Sequence, residues 1–220
     1  MTNIKTRNIN TQGLNARRKE KNMQFHQNGF HAGDPDIYKR AQNHKELTQD
    51  MPNEVDVLIV GSGPAGLTLA AQLSGHPDIV TRIVDLKPGP MEKGQADGIS
   101  CRSMEMFQAF DFAEKVKREA CWVNETSFWN PKPEKPSEIH RTGRIQDVED
   151  GLSEMPHVIL NQARVHDRYL EVMQNAPTRL VPHYSRKLID LTLTEKEVSH
   201  PITVTLERIG SGYEGQFEKV

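Results

Sequence analysis

The first apolar cluster of the chain lies at residues 55–60, a short run rich in β-branched side chains that predicts a buried parallel strand. After a glycine-rich turn, Leu67, Ala70 and neighbouring small residues recur at helical spacing over 64–74. Residues 79–86 then predict a second strand. A strand, a glycine turn, a helix and a strand in this order predict the Rossmann-like βαβ unit of an α/β protein.

Two helices and five strand-like stretches are predicted downstream of this unit, the last three as an antiparallel β-meander. The helices cover 102–110 and 161–174, and the strands cover 121–129, 144–148, 181–194, 202–208 and 216–220. A proline-rich turn at 131–136 lets 144–148 pair back with the strand before it. Because the last strand has only begun at Val220, it leaves an unpaired edge, and we expect the chain to be a fragment.

The amino-terminal segment has a different composition. Residues 1–22 carry six lysines and arginines against one acid, Glu20, with few large apolar side chains. Such a segment cannot bury enough surface to offset its ordering entropy, so we expect it to be disordered. It lacks the apolar stripe of a transit peptide, and we interpret it as translated leader ahead of a start at Met23. Residues 23–54 are polar and broken by glycine and proline, which predicts an irregular arm.

Charge and cysteine content narrow the function classes. The net charge of −2 gives no electrostatic reason for a nucleic-acid partner. The longest apolar runs are a few residues, whereas a membrane-spanning helix needs roughly 20. Cys101 and Cys121 form neither a disulfide framework nor a metal cluster. We therefore expect a soluble, reduced, cytoplasmic protein without a nucleic-acid, membrane or metal partner.

The turn after the first strand matches the pattern G-x-G-x-x-G. Its residues are Gly61, Ser62, Gly63, Pro64, Ala65 and Gly66. The pattern follows a strand and opens a helix, which is the context that gives it meaning. Gly61 allows the tight turn, Gly63 lets the backbone approach a diphosphate, and Gly66 lets helix and strand pack closely. We expect the diphosphate to lie at the helix start, where unpaired N–H groups and the helix dipole favour an anion.

An acid at the end of the second strand completes this motif. Asp85 lies nineteen residues after Gly66, where a carboxylate accepts hydrogen bonds from the ribose hydroxyls of adenosine and repels a 2′-phosphate. A solvated aspartate beside a glycine-rich turn is the alternative. These residues predict a dinucleotide site but do not separate FAD from NAD.

Residues 57–70 resemble the amino-terminal signature of the FAD-dependent aromatic hydroxylases. From Met23 to Val220 the chain is similar to the phenol 2-monooxygenase branch of that family. The stretches that carry this resemblance are 23–26, 94–106, 119–122, 146–154 and 156–166. The resemblance implies that 55–220 is the amino-terminal part of an FAD-binding domain, and that 121–149 reaches toward the start of a substrate-domain sheet.

The resemblance also implies an activity. Members of the family use NADPH to reduce FAD and O₂ to place one oxygen atom on a phenol, or on a related compound such as 3-hydroxybenzoate, beside the ring hydroxyl. The partner is a small aromatic substrate, and the full-length proteins form homodimers. By resemblance, Asp97 in the motif Ala96-Asp97-Gly98 is the catalytic and substrate-binding carboxylate that accepts the phenol proton. The alternative is that Asp97 only shapes a turn before Gly98.

Three further residues take roles from the resemblance. Arg102 contacts the FAD phosphates or the flavin face, or else is a surface arginine. Gln162 hydrogen-bonds FAD, or else only begins the next helix. His157 lines the substrate pocket near a hydroxybenzoate carboxylate, or else is a packed structural residue. The other histidines show no ligand spacing and are interpreted as surface residues.

The chain departs from the family because motifs expected after Val220 are absent. These include an Asp-Gly motif for flavin and NADPH, a Gly-Asp motif for the FAD ribityl chain, a tyrosine for the phenol and a thioredoxin-like domain. We therefore expect no hydroxylation by this chain alone. A non-catalytic remnant that binds FAD or ADP is the second hypothesis. A different flavin or NAD oxidoreductase is the third, although 94–106 disfavours it.

Overall fold

The structure is a computed structural model that describes residues 25–26, 29–30, 36–42, 51–194, 198–213 and 215–220. The chain forms two units, 1–39 and 40–220. In the first unit, β1 (Phe25–His26) pairs antiparallel with β2 (Gly29–Phe30), so the predicted irregular arm contains a short strand pair. The predicted disordered segment 1–22 lies outside the described residues.

The second unit begins with the predicted βαβ motif. Strand β3 (Val57–Val60) runs into helix α1 (Pro64–Leu73) and then strand β4 (Thr81–Val84), and the two strands pair in parallel. Every residue of β4 is buried, as expected for a strand covered on both faces. Helix α1 buries Leu67 and two alanines, and small side chains at these positions let it lie close to the sheet. The α/β fold prediction is confirmed.

The middle of the unit combines three helices with a small antiparallel sheet of order β5-β9-β6. These elements are β5 (Gly98–Ile99), α2 (Cys101–Ala109), α3 (Ala113–Glu119), β6 (Cys121–Val123), β9 (His157–Ile159) and α4 (Gln162–Asn175). Helices α2 and α4 lie within about one residue of their predicted bounds, and the short helix α3 was not predicted. Asn161 caps α4 by accepting a hydrogen bond from the N–H of Ala163.

The predicted pairing of 144–148 with the preceding strand is confirmed at 144–146, as part of a β-hairpin that is longer than predicted. Strands β7 (Glu125–Lys132) and β8 (Lys135–Gln146) pair antiparallel, and only two residues form the turn between them. The strand predicted over 121–129 is divided between β6 and β7. Pro131 and Pro136 therefore lie inside strands. This is possible because both strands are edges of a two-stranded ribbon, where a missing N–H removes no ladder bond that the sheet depends on. Trp129, on β7, is 58% exposed, and Trp122, on β6, is 49% exposed.

The predicted β-meander is confirmed, except at its start. Strands β10 (Arg186–Leu193), β11 (Ile202–Arg208) and β12 (Phe217–Lys219) pair in sequence as an antiparallel sheet. Residues 181–185, which were predicted to lead into β10 as a strand, form only an isolated parallel bridge between His183 and Val84. That connection is held against the end of β4, because the N–H of His183 donates to the carbonyl of Ile83 at 2.8 Å.

The main core lies where the βαβ motif meets helices α2, α3 and α4. An aromatic cluster fills its centre, with the ring of Tyr169 meeting Phe107, Phe110 and Phe112 edge to face at centroid distances of 5.1–5.9 Å. Tyr169 is 1% exposed and Phe112 is 2% exposed. Among the described residues, no helix combines the length and apolar character needed to cross a bilayer.

Candidate functional site

The glycine loop between β3 and α1 is shaped differently at each of its three glycines. Gly61 has φ +103°, a left-handed conformation that strains any residue with a side chain. Gly63 is extended and precedes the first turn of α1, and a Cβ on it would meet no heavy atom within 4 Å. A Cβ on Gly66 would lie 1.9 Å from the carbonyl oxygen of Gly61, so this helix position cannot carry a side chain without moving the backbone.

Within the described residues, no side chain caps the start of α1. Pro64 occupies its first turn, where the missing N–H costs nothing. Pro64 and Ala65 are exposed, whereas Ser62 is 3% exposed. The loop therefore presents uncapped N–H groups beside the open space at Gly63. An anion with several oxygens, such as a diphosphate, fits such a helix start.

Asp85 follows β4 directly and lies against the glycine loop. Its Oδ2 accepts hydrogen bonds from the backbone N–H and the hydroxyl of Ser62 at 2.6 and 2.7 Å, and its Oδ1 accepts one from the N–H of Lys87 at 2.8 Å. Burial alone would raise the pKa of this carboxyl, but the hydrogen bonds from Lys87 and Ser62 outweigh burial and hold the pKa below its ordinary value. A carboxylate offers about four acceptor sites. Three are in use, and a ribose hydroxyl would take a fourth.

A shallow cleft, without room for an enclosed water molecule, lies between helices α1 and α4. Its lining residues are Pro64, Leu67, Met91, Gln162, Val165, His166 and Tyr169. Gln162 accepts a hydrogen bond from the N–H of Gln95 at 3.0 Å through Oε1. The side chain of Gln162 therefore supports the preceding loop as well as lining the cleft.

His166 corrects the interpretation of the remaining histidines as surface residues. It is 4% exposed, and its Nε2 accepts a long hydrogen bond of 3.5 Å from the N–H of Met91. Its Nδ1 is buried without a hydrogen-bond partner among the described residues. Burial lowers the pKa of His166, which favours the neutral ring at neutral pH. The sequence could have indicated this, because His166 follows Gln162 by four residues and precedes Tyr169 by three, which places all three on one face of α4.

Two residues with roles taken from the resemblance lie directly before β5 and in α2. Asp97 precedes β5, is exposed, and its carboxylate makes no hydrogen bond or ion pair with any described residue. Its carbonyl accepts a hydrogen bond of 2.8 Å from the N–H of Leu160. Arg102, in the first turn of α2, is also exposed and makes no ion pair within the described part of the chain. The geometry leaves both side chains available to a ligand, and their roles stay predictions.

His157 lies on β9, next to the strand that follows Asp97. Its Nδ1 is 2.6 Å from Oδ2 of Asp147, and its Nε2 is 3.5 Å from where a Cβ on Gly98 would be. Asp97 thus lies directly before the strand that pairs with the strand of His157, and no hydrogen bond joins the two side chains. We call this region the Asp97–His157 site. Asp147 was missed because it lies ten residues from His157 along the chain and meets it only in the folded structure, without a recognisable sequence pattern.

Residues 91–97 run along the start of α4 and end at Asp97. This segment donates the N–H of Met91 to His166, and the N–H groups of Gly94 and Gln95 to the side chains of Asn161 and Gln162. At its end, the carbonyl of Asp97 accepts from Leu160. A Cβ on Gly94 would lie 2.4 Å from Cβ of Gln162, so the segment lies tightly against the start of α4.

Comparison with known families and proteins finds an FAD-binding family and monooxygenase relatives. The family model described as "FAD binding domain" matches residues 54–205. The chain is 58% identical to 3-hydroxybenzoate 4-monooxygenase of Comamonas testosteroni over 198 residues, covering 90% of this chain and 31% of that protein. It is 33% identical to a phenol 2-monooxygenase of Aspergillus fumigatus over 155 residues, covering 70% of this chain and 25% of that protein. The chain thus spans a third or less of the length of these relatives.

A similarity to solved structures supports the fold. The flavin-dependent monooxygenase PieE, solved in complex with FAD and substrate, superposes with a TM-score of 0.59 over 77% of this chain and 29% of its own. The identity is 22%, so this match bears on the fold alone.

Proposed function

Because this chain belongs to the FAD binding domain family of the flavin-dependent aromatic monooxygenases, we propose that it is the nucleotide-binding part of an enzyme that hydroxylates a phenolic ring beside its hydroxyl group. The observation that carries the proposal is the glycine loop. There the uncapped start of α1 lies beside open space at Gly63, and Asp85 lies at the edge of the loop.

The residues present fit FAD. The N–H groups at the start of α1 would hold the diphosphate, and Asp85 would hold the adenosine ribose. The buried Nδ1 of His166 has no hydrogen-bond partner among the described residues and lies beside the cleft. Gln162 and Arg102 would contact the cofactor farther along its length. When bound, FAD supplies the redox chemistry by which O₂ donates one oxygen atom to the ring, with NADPH as the electron source.

The role of Asp97 is to hold or accept a proton. Its exposed carboxylate would accept a hydrogen bond from the substrate hydroxyl, which increases the electron density of the ring at the neighbouring carbon. His157 would contact a second polar group of the substrate. The 58% identity to a 3-hydroxybenzoate 4-monooxygenase favours a carboxylated phenol over phenol itself.

The second candidate is a chain that binds FAD or ADP without catalysis. The short span relative to the relatives favours it for these 220 residues taken alone, because attack on a ring requires that ring and cofactor be held in fixed geometry. We expect the 220 residues to bind FAD and not to hydroxylate. The whole enzyme would act as a homodimer on a small aromatic substrate in the cytoplasm.

Titration of the purified chain with FAD, ADP, NAD and NADP tests the proposal. Calorimetry should show binding of FAD and ADP, with NADP weakest because Asp85 repels its 2′-phosphate. The Gly63→Ala variant should bind FAD at least about tenfold more weakly, because a methyl group would occupy the space of the diphosphate and cost one charge-assisted hydrogen bond.

Gly89→Ala is the matched control. A Cβ on Gly89 also meets no heavy atom within 4 Å, but this glycine lies outside the loop, so its FAD affinity should equal that of the wild type. Failure of the folded wild type to bind FAD, or equal FAD affinity for Gly63→Ala and Gly89→Ala, would contradict the proposal. Stronger binding of NAD than of FAD would favour the third hypothesis.

A further inference from the structure

The segment 91–97 is held along the start of α4 by three of its own backbone N–H groups. Two of them donate to side-chain amide oxygens, and the third, from Met91, donates to Nε2 of His166 at 3.5 Å. The amide acceptors belong to Asn161 and Gln162, which do not titrate. His166 is the one of these three acceptors that can change its charge near neutral pH, so the contact with Met91 depends on protonation.

The direction of this hydrogen bond fixes the proton on the imidazole. A ring nitrogen that accepts from an N–H carries no proton of its own, so the neutral ring of His166 must be protonated on Nδ1. A charged ring carries hydrogen on both nitrogens, and Nε2 would then face the N–H of Met91 as donor to donor. Only the neutral ring can therefore hold Met91.

The surroundings of His166 keep the ring neutral at neutral pH. The side chain is 4% exposed, and burial lowers its pKa from 6.5. The carboxylates of Asp167 and Asp85 favour the charged ring, as does the backbone of Ser62, which lies near the ring without hydrogen-bond geometry to Nδ1. Lys87 favours the neutral ring. Burial has the largest effect, so the pKa stays below its ordinary value.

The other residues around the ring add no charge near neutral pH. Helix α1 contributes the apolar Pro64 and Leu67 to the cleft that His166 lines. Burial raises the pKa of Tyr169, the other titratable residue of this cleft, so its hydroxyl stays neutral. The contact with Met91 is therefore present above about pH 6.5 and is lost as the pH falls through the lower value of folded His166.

The far end of the segment carries Asp97. The carbonyl of Asp97 accepts a hydrogen bond of 2.8 Å from the N–H of Leu160, so the segment is fixed at this end as well as at Met91. Release of Met91 would lengthen the unrestrained part of the loop that leads to Asp97. A longer unrestrained loop has more conformational entropy to lose when one of its side chains binds a ligand.

We propose that His166 is a positioning residue whose neutral, Nδ1-protonated ring holds the segment 91–97 against α4 and thereby orders the loop that ends at Asp97. The inference rests on the proposed function for the use of the Asp97 carboxylate. It deepens that function by naming a residue that acts on Asp97 through the backbone of Met91. The contact between His166 and Met91 can be measured whether or not a cofactor is bound.

The first readout is ¹⁵N–¹H NMR of the imidazoles in the labelled 220-residue wild type. At neutral pH, His166 should carry its proton on Nδ1 and none on Nε2. On acidification, Nε2 should gain a proton below pH 6.5, because burial lowers the pKa of the ring. A ring protonated on Nε2 at neutral pH would overturn the proposal, and this measurement needs no variant that has to fold.

The second readout is hydrogen exchange of the backbone amides, expressed relative to the intrinsic rate at each pH. The amide of Met91 should lose about fivefold in protection as His166 becomes charged, the effect of losing one hydrogen bond. The amides of Gly94 and Gln95 should lose less, because their acceptors do not titrate. Equal protection of Met91 above and below the titration of His166 would contradict the proposal.

Two substitutions separate the acceptor from the titrating ring. His166→Gln places an amide oxygen near the position of Nε2, so Met91 should stay within about twofold of its wild-type protection and should no longer respond to pH. His166→Phe keeps a ring but removes the acceptor, so protection of Met91 should fall about fivefold at neutral pH. Wild-type protection of Met91 in a folded His166→Phe chain would show that the imidazole does not hold the segment.

His140→Gln is the matched control. His140 also has a buried Nδ1 without a hydrogen-bond partner among the described residues, but it lies on β8, in the hairpin. The Met91 amide should keep both its protection and its pH response in this variant. Titration with FAD separates the two proposals. Failure of the wild type to bind FAD defeats the proposed function, whereas normal FAD binding with a Met91 amide that ignores pH defeats only the role of His166.

Discussion

The glycine loop and the Asp97–His157 site are built by opposite means. The loop is formed by one continuous stretch of backbone, with Ser62 buried and tied to Asp85 by two hydrogen bonds. The residues of the Asp97–His157 site come from separate segments of the chain, and their polar side chains are exposed or partly exposed. A diphosphate site can therefore be formed by the backbone of one short segment. A site for an aromatic ring needs side chains from several segments of the chain. Paired substitutions at buried and exposed positions should therefore differ in their effect on stability.

The largest effect is expected for Gly66→Ala. An alanine in a helix normally gains about 1 kcal/mol over glycine, but here its Cβ would lie 1.9 Å from the carbonyl oxygen of Gly61. Overpacking of this kind costs about 3 kcal/mol. We expect a net loss of about 2 kcal/mol in the free energy of unfolding and a fall in Tm of roughly 4–8 °C by far-ultraviolet circular dichroism.

Gly89→Ala provides the comparison for this change. Its Cβ meets open space, so it should remain within about 0.5 kcal/mol of the wild type. Equal melting temperatures for the two alanine variants would show that helix and loop are not in close contact at Gly66.

An intermediate loss in the free energy of unfolding is expected for Asp85→Asn. Asp97→Asn is the matched substitution at the exposed site. Asn at 85 loses the charge and the hydrogen bond from Lys87, which should cost about 1.5 kcal/mol at neutral pH. Asp97 has no such bonds, and its variant should stay within about 0.5 kcal/mol. Chemical denaturation of the two variants measures the difference.

The cost at Asp85 should depend on pH in a defined direction. Its pKa is lowered from 3.8, so the carboxylate binds protons less readily in the folded than in the unfolded chain. The stability it contributes is fully present above the unfolded value and is lost as the pH falls through the lower folded value. The gap between the wild type and Asp85→Asn should therefore shrink below about pH 4. A gap that widens in acid would contradict this assignment.

The smallest effect is expected for Tyr169→Phe. The Tyr169 hydroxyl lies 2.8 Å from that of Thr68, which in turn donates to the carbonyl of Pro64 at the start of α1. Its loss should cost about 1 kcal/mol. Tyr213 is 41% exposed, stacks on Arg208, and its hydroxyl makes no hydrogen bond within the described residues, so Tyr213→Phe should be neutral. Equal melting temperatures for the two variants would show that the Tyr169 hydroxyl does not stabilise the start of α1.

The sequence predicted the parts of the fold that local patterns encode. The βαβ motif, the meander and helices α2 and α4 follow from apolar spacing and from glycine at defined positions. Helix α3 was missed because it has seven residues and two buried ones, Ala113 and Val116, too few for a periodic signal. The predicted pairing of 144–148 with the strand before it is confirmed for residues 144–146. The turn was predicted too long because Pro131 and Pro136 indicate a turn, and nothing local shows that each lies in an edge strand.

Some residues of the candidate site could likewise be predicted from local sequence patterns, and others could not. The loop and Asp85 could be recognised from spacing alone, because strand, turn and acid follow one another along the chain. Asp147 and His166 could not, since their importance lies in contacts across the fold: Asp147 meets a histidine on another sheet, and His166 faces the segment 91–97. Sequence spacing gives no measure of such contacts.

The exposure of both tryptophans has a practical consequence for spectroscopy. The chain has two, Trp122 and Trp129, and each keeps about half or more of its surface in water. Their emission should already be red-shifted in the folded protein and should change little when the core opens. Fluorescence from the indoles would therefore report the hairpin and its surroundings, while the buried phenol of Tyr169 is the natural optical probe of the interior.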